Sequence, residues 1–429
     1  MRIGYYAHHH GSGHCRQADK LAALLPVECQ AQLTVFTSLS SDAYTFTTIA
    51  EAQIIRLNAE DERIEDVLAG RAGQYWQPDC LHYSPVGNHD IQTRSWQILH
   101  TVQQRQIDLM IIDVSVELAM LCRVASIPYL YVRLAGIRDD TPHSAAFAGA
   151  LGVLAPYPQA LEAAMTSDWV RQKTFYLGFL SSASSDKLTY PAFLQMLLTK
   201  TTDIVAHTIV QNALSKLELS AFIKDEDLAS EPFLSSAKAA TSPKLTIVTV
   251  IKGYGGHEAI DAKLPTLRKE LPEALIISLG PIDDDKRAYV DIAAHVLDVS
   301  PFMTHSDWLL MACGLNGIAQ AYSYDTPLVV LPDSRPHQEQ EVMAEALISQ
   351  GRALSWAQFI TQVSAEKRQD NLLAYRDSNY ANNDKNNNEN SQNFYSPAHE
   401  LMSSLATYDA PKYWFQEWLL PNLGIQPEI

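Results

Sequence analysis

The stretch from Val299 to Leu347, VSPFMTHSDWLLMACGLNGIAQAYSYDTPLVVLPDSRPHQEQEVMAEAL, constrains the fold more than any other. Trp308–Met311 is a short apolar run of the kind that forms a strand buried on both faces. Cys313-Gly314-Leu315-Asn316-Gly317 follows as a tight turn of small residues. Ile318, Ala321 and Tyr322 then recur at helical spacing, so Ile318–Tyr324 is expected to be a helix. Asp325-Thr326-Pro327 breaks it, and Leu328–Leu331 is a second buried strand. A loop runs from Pro332 to His337, and Glu339-Gln340 stands at the start of another helix. Strand, turn, helix, strand, loop, helix describes a parallel sheet covered by helices. The turn after each strand, with free backbone N–H groups at a helix start, is a natural place for phosphate.

The same alternation runs through the rest of the chain. Strands are expected at Arg2–Ala7, Gln32–Thr37, Ile54–Leu57, Ile107–Asp113, Tyr129–Val132, Leu245–Ile251 and Ala274–Leu279. Helical spacing marks Cys15–Leu25, Ile91–Arg105, Glu117–Ala125 and the aromatic segment Tyr413–Leu420. Asp113 closes its strand at the carboxyl end, where open α/β sheets bind ligands. Arg133–His143, with Arg133, Arg138, Asp139, Asp140 and His143, is the richest polar loop of the first half. Two further strands open on glycine turns, Gly11-Ser12-Gly13-His14 near the start and Lys252-Gly253-Tyr254-Gly255-Gly256 later. Glycines there permit a close backbone approach.

At 429 residues the chain is long for one core, so two domains are expected. The boundaries are placed at 1–178, a linker and insertion at 179–243, a second domain at 244–408 with an Asn-rich segment at 370–396, and a closing helix at 409–429. A net charge of −17 makes nucleic acid a poor partner. The five cysteines, Cys15, Cys29, Cys80, Cys122 and Cys313, show no CxxC spacing and read as reduced thiols. No apolar run is long enough to span a bilayer. A cytoplasmic protein, or one peripheral to the inner face of the membrane, is expected. His8, His9 and His10 alternate faces at a strand end, so they cannot converge on one ion with His14.

The segment around Cys313, Gly314, Asn316, Gln320, Pro327, Pro332 and Glu339-Gln340 resembles the donor-binding region of GT-B glycosyltransferases that use nucleoside-diphosphate sugars. Three positions depart from the family pattern. Ala312 replaces a frequent His, Gly317 a usual Ser or Thr, and Gln320 the ribose-binding Glu. Gln still bonds a hydroxyl, but without charge assistance. The N-terminal Gly11-Ser12-Gly13-His14-Cys15-Arg16 also resembles the family, and occurs in a related group of nucleotide-sugar hydrolases. Sugar-nucleotide 2-epimerases share the fold, but their charged GTRPE-type opening is missing here.

The resemblance implies an α/β GT-B fold, two Rossmann-like doubly wound domains facing across a cleft. It implies a hexosyltransferase that moves a sugar from a nucleotide-sugar donor, a UDP-sugar first of all. The acceptor would be a hydroxyl of a glycan, a lipid-linked or a small molecule. His14 would be the catalytic base. A histidine at a helix start is expected to have a lowered pKa. Gly11, Ser12, Gly13, Asp113, Arg138 and His143 would lie on the acceptor side. Gly253, Gly255, Gly256, Gly314, Leu315, Asn316 and Gln320 would bind the donor, with Glu339 and Gln340 on its sugar hydroxyls. Lys252 or backbone N–H groups would take the leaving-group charge. No cofactor and no protein-bound catalytic metal is expected. The alternatives are a nucleotide-sugar hydrolase of the same fold and a binding protein without turnover.

Overall fold

The computed structural model describes residues 1–8, 12–59, 81, 83–180, 188–201, 203–226, 245–253, 258–365 and 414–425. Gly11, Gly255, Gly256 and the Asn-rich segment lie outside them. The chain divides into two compact units. One comprises Met1–Ser181, Arg335–Ala346 and Thr407–Ile429, and the other Ser182–Ser334 and Leu347–Ala406.

The first unit is built on seven parallel strands, β1 (Ile3–Tyr6), β2 (Thr34–Thr37), β3 (Ile54–Arg56), β4 (Leu109–Asp113), β5 (Tyr129–Val132), β6 (Gly152–Ala155) and β7 (Thr174–Tyr176). Their order is β3-β2-β1-β4-β5-β6-β7. Alternate side chains serve two cores. Ile3, Tyr5, Leu109 and Ile111 face one. Tyr6, Met110 and Ile112 face the other. A strand buried on both faces has to be apolar at every position, which is why these runs show no polar alternation. Each fully buried aliphatic side chain stabilises the fold by about 1.5–3 kcal/mol. Trp414, Phe415 and Leu419 belong to the first of these cores. They lie in a π-helical turn, Trp414–Leu419, where an ordinary helix is expected from spacing.

Helix starts in this unit are fixed by side chains that their sequence supplies. Asn88 accepts from the Ile91 N–H at 2.9 Å to cap His89–Gln104. Ser115 accepts from Leu118 at 3.2 Å to cap Val116–Val124. Asp140 accepts from His143 at 3.0 Å to cap Thr141–Gly149. Each satisfies a backbone donor that the helix itself leaves open, worth about 1 kcal/mol. His143 therefore sits in a helix. The loop expected at Arg133–His143 ends at Asp140, because that carboxylate is the better cap.

The second unit has six parallel strands, β8 (Ile247–Ile251), β9 (Leu275–Leu279), β10 (Ile292–Ala294), β11 (Trp308–Met311), β12 (Leu328–Val330) and β13 (Leu354–Ser355). They are ordered β10-β9-β8-β11-β12-β13. The sheet order reverses direction between β1 and β4 in the first unit and between β8 and β11 in the second. Such a switch point, at the carboxyl ends of the strands, is where doubly wound sheets bind ligands. The expected Ile318–Tyr324 helix begins earlier, as Leu315–Ala321, with Gly314 at its N-cap. The sparse strand signal at β6, β7 and β13 reflects their length, two to four residues.

Candidate functional site

At the first switch point β1 leads through His8 towards the Ser12–Ala22 helix, and β4 ends on Asp113. His14, on the first turn of that helix, places Nδ1 2.9 Å from Oδ2 of Asp113. Asp113 is fully buried, and the His14 side chain keeps 16% of its surface exposed. A carboxylate only accepts, so Nδ1 carries the proton and donates it. That leaves the lone pair of neutral His14 on Nε2, the arrangement a general base requires.

The backbone at Asp113 is shaped for this. Val114 has φ 54°, a left-handed conformation that β-branched residues avoid. It is held by a bond from the Ser115 N–H to the Asp113 carbonyl at 2.9 Å, and by the Tyr131 hydroxyl donating to the Val114 carbonyl at 2.6 Å. Strain of this kind concentrates at working sites.

Around the pair stand residues from four segments. The His8 ring lies 5.4 Å from that of His14 and 5.3 Å from Tyr83. Tyr5 faces Asp113 from β1; burial, and then that carboxylate, push its phenol well up. Arg138 sits 3.5 Å from Oε2 of Glu339. Its Nη1 donates to Nε2 of His143 at 3.2 Å. Nδ1 of His143 then carries the proton and donates to Asp140, at 2.7 Å from Oδ2. Burial, and then the Arg138 charge, lower His143 to about 4, so it is neutral near pH 7. Burial raises Glu339, and Asp113 adds to this, while Arg138 and His14 oppose it.

His14 itself departs from expectation. Burial is the strongest single influence and lowers its pKa, but Asp113, by charge and hydrogen bond, and then Glu339 together outweigh it. The net result is a raised value. A lowered pKa was expected from the helix start alone; two carboxylates brought in from distant segments reverse the sign.

The structure thus brings His14, Asp113, Arg138, His143 and Glu339 together within the first unit. Ser12 and Gly13 open the His14 helix. Gln340 is buried beside Glu339 at the start of Glu339–Ser349. His8, first of the histidine run weighed above, belongs to the same neighbourhood; Tyr5 and His337 belong to it too and have no motif to announce them. Tyr5 reads as one more strand residue, and His337 as one more loop residue.

In the second unit Gly314, Leu315, Asn316 and Gln320 lie on the turn and helix after β11. A Cβ at Gly314 would meet nothing within 4 Å, so its backbone is approachable. A Cβ at Gly317, where Ser or Thr is usual, would come 2.8 Å from the Met311 methyl. Gly253 follows β8 and is exposed. Lys252 is not available to a leaving group. Its Nζ is buried and bonded to Oδ1 of Asp261 at 2.6 Å, and Oδ2 of Asp261 accepts from the Asp283 N–H at 3.0 Å. Arg133 is likewise structural. It pairs with Glu162, which also accepts from the hydroxyls of Thr166 at 2.6 Å and Tyr176 at 2.8 Å.

Two parallel, doubly wound sheets with these switch points define the GT-B fold. The solved structure of a putative UDP-N-acetylglucosamine 2-epimerase from Listeria monocytogenes is similar over 96% of this chain and 93% of its own, with a TM-score of 0.50 and 13% identity. Phytolacca americana UGT2, complexed with UDP-2-fluoro-glucose and pterostilbene, is similar over 82% of this chain and 84% of its own, at a TM-score of 0.49 and 13% identity. Acinetobacter baumannii MurG reaches 0.46 at 12% identity, over 82% and 85%. At such identity the likeness concerns the fold alone. No protein-family model matches the sequence, and no curated protein does.

Proposed function

We propose that this chain is a hexosyltransferase that moves a sugar from a nucleoside-diphosphate sugar, a UDP-sugar first of all, to an acceptor hydroxyl. The observation that carries the reading is the His14–Asp113 hydrogen bond at the β1/β4 switch point. Nε2 of His14 takes the acceptor proton as the hydroxyl oxygen bonds to the anomeric carbon. The bond from that carbon to the β-phosphate oxygen breaks, and the nucleoside diphosphate leaves. Asp113 stabilises the imidazolium formed. Ser12, Gly13, Arg138 and His143 line the acceptor side. Glu339 and Gln340 hold sugar hydroxyls, and the Gly253–Gly256 segment and the Gly314–Asn316 turn hold the diphosphate through backbone N–H groups. No step uses a metal or a cofactor. Among the described residues no helix is long and apolar enough to cross a membrane, and a cytoplasmic or peripheral site of action fits the reading.

The test is incubation with a set of UDP-, dTDP- and GDP-sugars, with and without sugar and phenol acceptors. Released nucleotide and glycosylated product are both measured. Product that requires acceptor, and falls about 10²–10⁴-fold in His14→Ala, supports the transferase. Equal nucleotide release without acceptor identifies a hydrolase instead. Binding without release identifies a protein that only captures the donor.

A further inference from the structure

Three donor atoms outside the His14–Asp113 pair converge in the first unit. Asp140, His143 and His337 each offer one ligand atom, all within 4.8 Å of one another. Both oxygens of Asp140 face His143. Oδ1 accepts from the His143 N–H at 3.0 Å, capping the Thr141–Gly149 helix, and lies 2.9 Å from Nδ1 of the same ring. Oδ2 faces Nδ1 of His143 at 2.7 Å and Nδ1 of His337 at 3.8 Å. The two imidazoles meet edge to face, with centroids 4.7 Å apart.

His337 does not reach this place by relaxed backbone. It has φ 60°, and Gln338 after it φ 52°. Its carbonyl accepts from the Ile137 N–H at 2.7 Å. Gly136, at φ +113°, has to be glycine there, since a Cβ would stand 2.6 Å from that carbonyl. Two segments about two hundred residues apart in sequence are thus clamped so that a left-handed histidine points at a helix-capping carboxylate. Left-handed non-glycine residues persist only where surrounding contacts impose them.

We propose that Asp140, His143 and His337 form a binding site for a divalent transition ion of the zinc class. Two imidazole nitrogens, borderline donors, with one harder carboxylate oxygen make a ligand set that Zn²⁺ takes. Ligand atoms around tetrahedral Zn²⁺ lie roughly 3.3 Å apart, given bonds near 2.0–2.1 Å. The 2.7 Å and 3.8 Å separations bracket that spacing. Three protein ligands leave a fourth position open. Binding shifts the His143 proton from Nδ1 to Nε2. Nε2 then no longer accepts from Arg138, so the guanidinium turns wholly to Glu339, 3.5 Å away. The ion therefore acts on the His14 neighbourhood through Arg138, without touching the reacting atoms.

The experiment titrates the full chain, stripped with chelator, with Zn²⁺ by calorimetry and with Co²⁺ by visible spectroscopy. One ion per chain is expected, with a four-coordinate Co²⁺ spectrum and a raised Tm at excess ion. His337→Asn keeps a residue that tolerates the left-handed backbone; it weakens binding tenfold or more and loses the Co²⁺ band. His143→Gln does the same. A His9→Ala/His10→Ala chain, which removes adjacent N-terminal histidines, retains both. No binding to the native chain overturns the proposal. So does binding that survives His337→Asn and His143→Gln, or that disappears with His9 and His10.

Discussion

His14 and Asp113, 99 residues apart in the chain, are joined by one hydrogen bond of 2.9 Å from Nδ1 to Oδ2. The bond fixes the tautomer, raises the basicity of the ring, and buries a carboxylate that has no cation paired with it other than a protonated His14 among the described residues. Asp113→Asn keeps the volume and removes the charge. The reading predicts a loss in kcat of about 10²–10⁴-fold, with nucleotide affinity close to native. Steady-state turnover and nucleotide titration of the same preparation check both halves. Equal turnover in the variant would remove the pair from the chemistry.

The pH profile carries a separate prediction. His14 acts as a base only when neutral, and its pKa lies above the ordinary 6.5. The acid limb of kcat/KM should therefore turn at a pH above 6.5 in the native chain. In Asp113→Asn burial acts against a much weaker opponent, so residual activity should persist to lower pH. A limb that stays in place in the variant would assign it to another group.

Gln320 stands where the resemblance to GT-B glycosyltransferases would place a ribose-binding Glu. Gln320→Glu should tighten nucleoside diphosphate binding by about 1 kcal/mol through a charge-assisted bond. Calorimetry with UDP decides this. Unchanged or weaker binding would mean that Gln320 does not face the ribose.

The Arg133–Glu162 pair makes a prediction about stability. Burial acts to raise Glu162, but Arg133 and the Thr166 and Tyr176 hydroxyls override it and hold Glu162 at about 2. A carboxyl whose folded pKa is depressed contributes stability that is present above its unfolded value of 4.5 and is lost as pH falls towards 2. The contribution is about 3 kcal/mol at neutral pH. Glu162→Gln leaves the Arg133 charge buried without its partner and should cost about 3–5 kcal/mol. Denaturant unfolding at pH 7 and pH 3 measures both, and the difference between variant and native should shrink at pH 3. A variant as stable as native at pH 7 would contradict the reading.

The sequence by itself determined the architecture, parallel sheets covered by helices, and where its strands end. Short apolar runs such as Trp308–Met311 and Ile107–Asp113 leave no polar face, so only a sheet covered on both sides accommodates them. Glycine-rich stretches of sequence follow β1, β8 and β11 and mark the strand ends. The positions of His14, Asp113, Gly314 and Gln320 at strand ends and helix starts were legible because such features are local, written within a dozen residues. Tertiary structure decided what those residues face. The sign of the His14 shift depends on Asp113 and Glu339, which no local pattern places beside it. Lys252 was removed from the site by Asp261, and Arg133 by Glu162, because a buried charge is held by whichever opposite group the fold delivers. The meeting of His337 with Asp140 and His143 depends on one carbonyl locked against Ile137 and Gly136. Periodicity reports which face of an element is buried; it carries no information about which distant element does the burying.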